Sequence, residues 1–92
     1  MPVKVCELHH IKSLDQLFDE LSRQLLLPAH FGRNLDALYD SLAKDVAGPF
    51  EIVWRETEEA RKALGVDLYT TILEILETVA EERGDVTLDI HH

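Results

Sequence analysis

The chain has 92 residues, 46% of them hydrophobic and 29% charged, with one cysteine and a formal net charge of −9 at pH 7. This length suits one domain with one core spanning residues 1–92, and a lone cysteine excludes an intrachain disulfide. The acidic balance argues against nucleic-acid phosphates as a ligand, no apolar run reaches the ~18 residues of a membrane helix, and no basic-then-apolar start reads as a signal, so the expected compartment is the reducing cytoplasm.

Val3 to Glu7 alternates and is β-branched, which predicts a first strand. Ser13 fits a helix N-cap, with Gln16 completing a capping box. Leu14, Leu17, Phe18, Leu21 and Leu25 follow at helical spacing as a buried stripe. Pro28 is expected to end this helix, because the residue before a proline is pushed out of the α region. His30-Phe31-Gly32-Arg33 reads as a loop, and Asn34 as the cap of a second helix that buries Leu35, Leu38, Leu42 and Val46 and stops at Gly48-Pro49.

Phe50 to Trp54 forms a second strand, and polar Glu56 to Lys62 a short, largely exposed third helix ending near Gly65. Asp67 is placed to cap a fourth helix with a stripe of Leu68, Ile72, Ile75, Leu76 and Val79. Gly84 ends it, and Val86 to Ile90 is a third strand. Strands separated by helical stretches need crossover connections. The order β-α-α-β-α-α-β therefore predicts an α/β fold, a three-stranded parallel sheet packed with about four helices.

On a helical wheel of about 100° per residue, the leucines of the second helix point inward, while Asp36, Asp40 and Lys44 fall on the opposite side. Ala37 and Ala43 flank them, and Tyr39 lies at the boundary. Asp36 gains from the helix N-terminal dipole, whereas Asp40 is mid-helix, where aspartate is a poor helix former. The two carboxylates, one turn apart, repel each other, and Lys44, one turn further on, can partly neutralise Asp40. This reads as an acidic patch flanked by an aromatic ring. An ordinary solvated face with an Asp40–Lys44 pair accounts for the same spacing.

The run from Leu27 to Leu42, Leu-Pro-Ala-His-Phe-Gly-Arg-Asn-Leu-Asp-Ala-Leu-Tyr-Asp-Ser-Leu, resembles the hallmark of the barstar family, intracellular inhibitors of the ribonuclease barnase. The shared frame is Leu-Pro, an aromatic pair or its equivalent, then Gly-x-Asn-Leu-Asp-Ala-Leu-aromatic-Asp. The order of elements fits the family over essentially the whole chain. The resemblance implies that the loop and second helix plug a basic microbial, barnase-like ribonuclease through His30, Phe31, Asn34, Asp36, Tyr39, Asp40, Asp45 and Thr78.

It also implies a division of roles. Asp40 would stand in for a substrate phosphate, accepting hydrogen bonds from active-site arginines and a histidine, which suits the planar, bidentate preference of arginine. Asp36 matches a second contacting aspartate. His30 stands where the family's prototype has a tyrosine, Tyr39 where it has a tryptophan, and Asp45 where it has an exposed tryptophan. The prototype's fourth-helix glutamate aligns best with Thr78, with Glu77 and Glu81 as substitutes. The alternative is an interaction module that applies the same acidic face to another basic partner.

Two further constellations stand outside the acidic face. Cys6, His9 and His10, with His91 and His92, could meet at the ends of the outer strands and bind zinc, although a core cysteine and exposed histidines explain them as well. As an enzyme the chain has no P-loop, dinucleotide-binding glycines, nucleophile elbow or zinc-protease helix. No cofactor and no metal are expected.

Overall fold

Three short β-branched or aromatic runs make the sheet: β1 is Lys4–Leu8, β2 is Phe50–Trp54 and β3 is Val86–Ile90. In this computed structural model, which describes residues 2–92, they pair in the order β1-β2-β3 and are parallel throughout. Cys6 lies opposite Ile52, which in turn lies opposite Leu88. Alternation does the sorting. Cys6, Leu8, Phe50, Ile52 and Trp54 enter the core, while Val5, Glu7, Thr87 and Asp89 are exposed. One face is thus left largely to solvent, which is unusual for a parallel sheet.

The first crossover begins with α1, Leu14–Leu25. Ser13 caps it as expected, accepting from the Gln16 amide at 3.1 Å. Gln16 does not close the reciprocal half of the box. Its oxygen instead accepts from the Lys12 amide at 2.9 Å and its nitrogen donates to the His10 carbonyl. The helix ends before Pro28 can act, because Leu26 turns into the left-handed region at φ 55° and closes the last turn onto Ser22.

The second helix departs from its expected single span. It runs as α2, Leu35–Asp40, and then widens into a π turn, Ser41–Asp45, closed by the Val46 amide on the Ser41 carbonyl at 3.1 Å. The wider turn keeps Leu42 and Val46 inside and brings Ser41 in as well. Arg83 secures its end, donating to the carbonyls of Leu42 at 2.8 Å and Val46 at 2.7 Å. The same guanidinium lies over the Phe50 ring and pairs with Asp85, whose carboxyl it holds below the usual range. At the other end Asn34 accepts from the Ala37 amide at 2.8 Å. Asn34→Ala should therefore cost about 1 kcal/mol in chemical denaturation; an unchanged midpoint would mean that the turn holds itself.

The second crossover comprises α3, Thr57–Leu64, and α4, Val66–Glu82. α3 is less exposed than expected, since Thr57 and Ala60 are buried. α4 starts one residue before Asp67, with Gly65 at φ 92° in the cap position, so Asp67 lies in the first turn and is not the cap. Its buried stripe is Tyr69, Ile72, Leu76 and Val79, with Leu68 and Ile75 only half-buried. Tyr69 displaces Leu68 because its ring packs against Trp54 at 5.3 Å, at the centre of the sheet. Among the described residues no helix is long and apolar enough to cross a membrane.

Candidate functional site

Between α1 and α2 the chain makes a tight turn, with the Phe31 amide donating to the Pro28 carbonyl at 2.9 Å. Phe31 is half-buried and meets Phe18 of α1 edge-on, ring centres 5.3 Å apart. His30, beside it, is exposed. A Cβ on Gly32 would come within 3.3 Å of Asn34 Nδ2 and 3.4 Å of the Ala37 Cβ, so a larger residue would press on the capping side chain at the helix start. Arg33 turns its guanidinium away from α2, toward Asp15 and Asp19 of α1.

This route places His30, Phe31, Gly32, Ala37, Asp40, Ser41 and Asp45 around one groove of about 250 Å³. Asp40 keeps 63% of its side chain exposed, and Lys44 stands off at 3.9 Å, a loose surface pair. Asp36 is exposed in the first turn of α2, outside the lining of the groove, and Asn34 spends its side-chain oxygen on the cap. The arrangement is two carboxylates and an imidazole around a concavity on a helix fixed at both ends. Such carboxylates have the chemistry to accept hydrogen bonds from a guanidinium or another compact cation. A larger, open depression over α3 holds Lys12 already paired with Glu59 at 3.7 Å, and brings no such convergence.

Tyr39 is half-buried between α2 and α4, where its hydroxyl donates to Glu82. That hydrogen bond, followed by burial and the nearby charges of Glu82 and Asp40, raises the phenol above its ordinary value of 10.0. The folded state thus favours the neutral ring. Its contribution to stability is complete below about pH 10 and is lost as pH rises through the higher folded value. Tyr39→Phe should therefore lose less stability than the parent in thermal melts above about pH 10; parallel curves would remove Tyr39 from the alkaline transition.

Glu82 itself escaped the sequence reading. Thr78 is exposed on α4, as are Glu77 and Glu81, but the fourth-helix carboxylate brought against α2 is Glu82. It lies one turn beyond Thr78 on the same helix face, and that spacing was the available signal. The metal constellation does not assemble. β2 separates β1 from β3, and Cys6 is fully buried, its thiol pushed up to about 12 mainly by that burial. His9 and His10 face Glu7, Glu56 and Glu59, His91 faces Asp89, and His92 meets Thr57. Among the described residues no group of three potential ligands could hold a metal ion.

Comparison with known proteins bears on the family of the chain. A family model described as "Barstar (barnase inhibitor)" matches residues 1–91. The chain belongs to the barstar family. Its relatives include a protein of Bacillus subtilis (strain 168) named "Putative ribonuclease inhibitor YrdF", 34% identical over 74 residues, which cover 80% of each chain. The three-stranded parallel sheet with four helices is the architecture that the family resemblance implied.

Proposed function

We propose that this chain is a single-domain, cytoplasmic inhibitor of a basic ribonuclease, acting by binding and carrying no catalysis of its own. Membership of the barstar family and the ribonuclease-inhibitor name of its Bacillus subtilis relative support inhibition in general. The observation that carries the finer reading is the groove at the loop–α2 junction, where an exposed Asp40 carboxylate stands on a fixed helix beside His30 and Asp45. Residues 28–46 seat in the enzyme's active site, and Asp40 occupies the place of a substrate phosphate. Asp36 supplies a second acceptor, and Tyr39 and Phe31 present rings at the edges. Asn34 holds the helix start, and Thr78 with Glu82 extends the contact along α4. The net charge of −9 draws a basic enzyme in and speeds its approach.

The test is titration of the purified protein into basic microbial ribonucleases of the barnase type, reading RNA cleavage. Stoichiometric loss of activity with at least one of them is the expected result. If none is inhibited or bound, the acidic face belongs to another basic partner.

A further inference from the structure

Arg33 is the only lysine or arginine between Pro28 and Ala43. On a surface built to receive a cationic active site it is out of place, because a mobile guanidinium there would repel the partner and compete for Asp36 and Asp40. The structure disposes of it on the far side of the loop. Arg33 sits at φ 51°, a left-handed conformation that bulky residues seldom adopt. From there its guanidinium reaches α1, with Nη1 3.0 Å from Asp19 Oδ1 and Nη2 3.4 Å from Asp15 Oδ1. Nη2 also donates to the Asp15 carbonyl at 3.3 Å, and the guanidinium carbon lies 5.6 Å from the centre of the Phe18 ring.

Phe18 is thus engaged by two loop residues on either side of Gly32, by the edge of Phe31 and by the cation of Arg33. Asp15, Phe18 and Asp19 are three and four residues apart, so they share one face of α1 and form a receptor for the loop. We propose that Arg33 is a positioning residue: it clamps the loop before α2 onto α1, so that His30 and the start of α2 are held in their binding shape before any partner arrives. Paired at the surface with two carboxylates, its charge is turned away from the acidic face, and the three groups together keep one net negative charge. The consequence for binding rests on the inhibitory reading above. The clamp itself belongs to the free protein.

The experiment separates the two. Hydrogen exchange of the free protein is followed at the amides of residues 30–34, in the parent, Arg33→Ala, Arg33→Lys and the Asp15→Asn/Asp19→Asn double variant. All of these side chains are at least partly exposed, so the fold persists in each. The clamp predicts about 3- to 10-fold faster exchange at the Phe31 amide in Arg33→Ala and in the double variant, with core amides unchanged and partial recovery in Arg33→Lys. Exchange identical to the parent in Arg33→Ala overturns it. Association rates with a basic ribonuclease supply a readout that loop stability alone would not move. The double variant, which frees the guanidinium, should associate more slowly than Glu58→Gln/Asp67→Asn, which removes two carboxylate charges at exposed positions of α3 and α4 and leaves the clamp intact. Equal rates would overturn the charge-withholding role. A parent that binds no ribonuclease sinks the inhibitory reading and leaves the exchange result to decide the clamp.

Discussion

Asp40→Asn should weaken binding to a cognate basic ribonuclease by about 2–5 kcal/mol, roughly 30- to 4,000-fold in Kd, chiefly through faster dissociation. The scale comes in part from barnase–barstar itself, the type pair of this family, and so sets an expectation without adding independent support. Asparagine keeps the shape and most of the helical geometry of aspartate and removes only the charge. The loss therefore reports how much the partner's arginines depend on a full anion once water has been excluded. The exposed position of Asp40 in the free protein means that little folding stability rides on it. Lys44→Ala is the matching control: it removes a loose partner at 3.9 Å and should change binding by no more than about 0.5 kcal/mol. Association and dissociation rates, with inhibition assayed in parallel, decide the matter. Should Asp40→Asn inhibit every responsive enzyme as well as the parent, phosphate mimicry is not how this protein works.

Leu38→Ala is the corresponding test of the scaffold. Leu38 is fully buried, two residues from the exposed Asp40 on the same short helix, and belongs to the cluster that joins α2 to the rest of the core. Truncation removes buried methyl groups and leaves a cavity between packed elements, for an expected loss of about 2–5 kcal/mol. Asp40→Ala should stay within about 0.5 kcal/mol of the parent or rise slightly above it, since the residue is a surface aspartate inside a helix. Urea denaturation of both variants makes the comparison. If Asp40→Ala were the more damaging change, the helix would be held by its polar face, and the division into a core side and a binding side would fail.

The periodicities carried the architecture well. All three strands and four helices lie where spacing and turn residues place them, since apolar residues that repeat at two or at 3.6 have only one way to be buried together. What escaped is long-range. Nothing local announces that the second helix will widen after Asp40, and the group that bonds to the end of the wider turn is Arg83, a side chain arriving from the end of α4. Tyr69 wins over Leu68 for a reason equally remote from its own neighbours, the Trp54 ring on the sheet. At the candidate site, the acidic face and its capping asparagine were legible from the wheel, but the groove was not. His30 and Asp45 come to line it with Asp40 only through the turn at Pro28 and the π turn. Glu82 was missed because alignment with a relative points to a position, whereas contact is decided by which turn of α4 passes Tyr39.

Arg83 also determines where a mechanical load on the binding helix would go. Its guanidinium grips the carbonyls of Leu42 and Val46 at the end of the π turn, while its backbone continues from the last turn of α4 toward β3. Under the proposed mode of inhibition, an enzyme leaving Asp40 would pull on a segment whose trailing end is fastened to a different crossover and, through the Asp85 carbonyl and the Phe50 amide, to the central strand. Tension is shared with the sheet and does not fall on the helical turns alone. The helix therefore behaves as a braced beam, and it need not fray each time a complex comes apart.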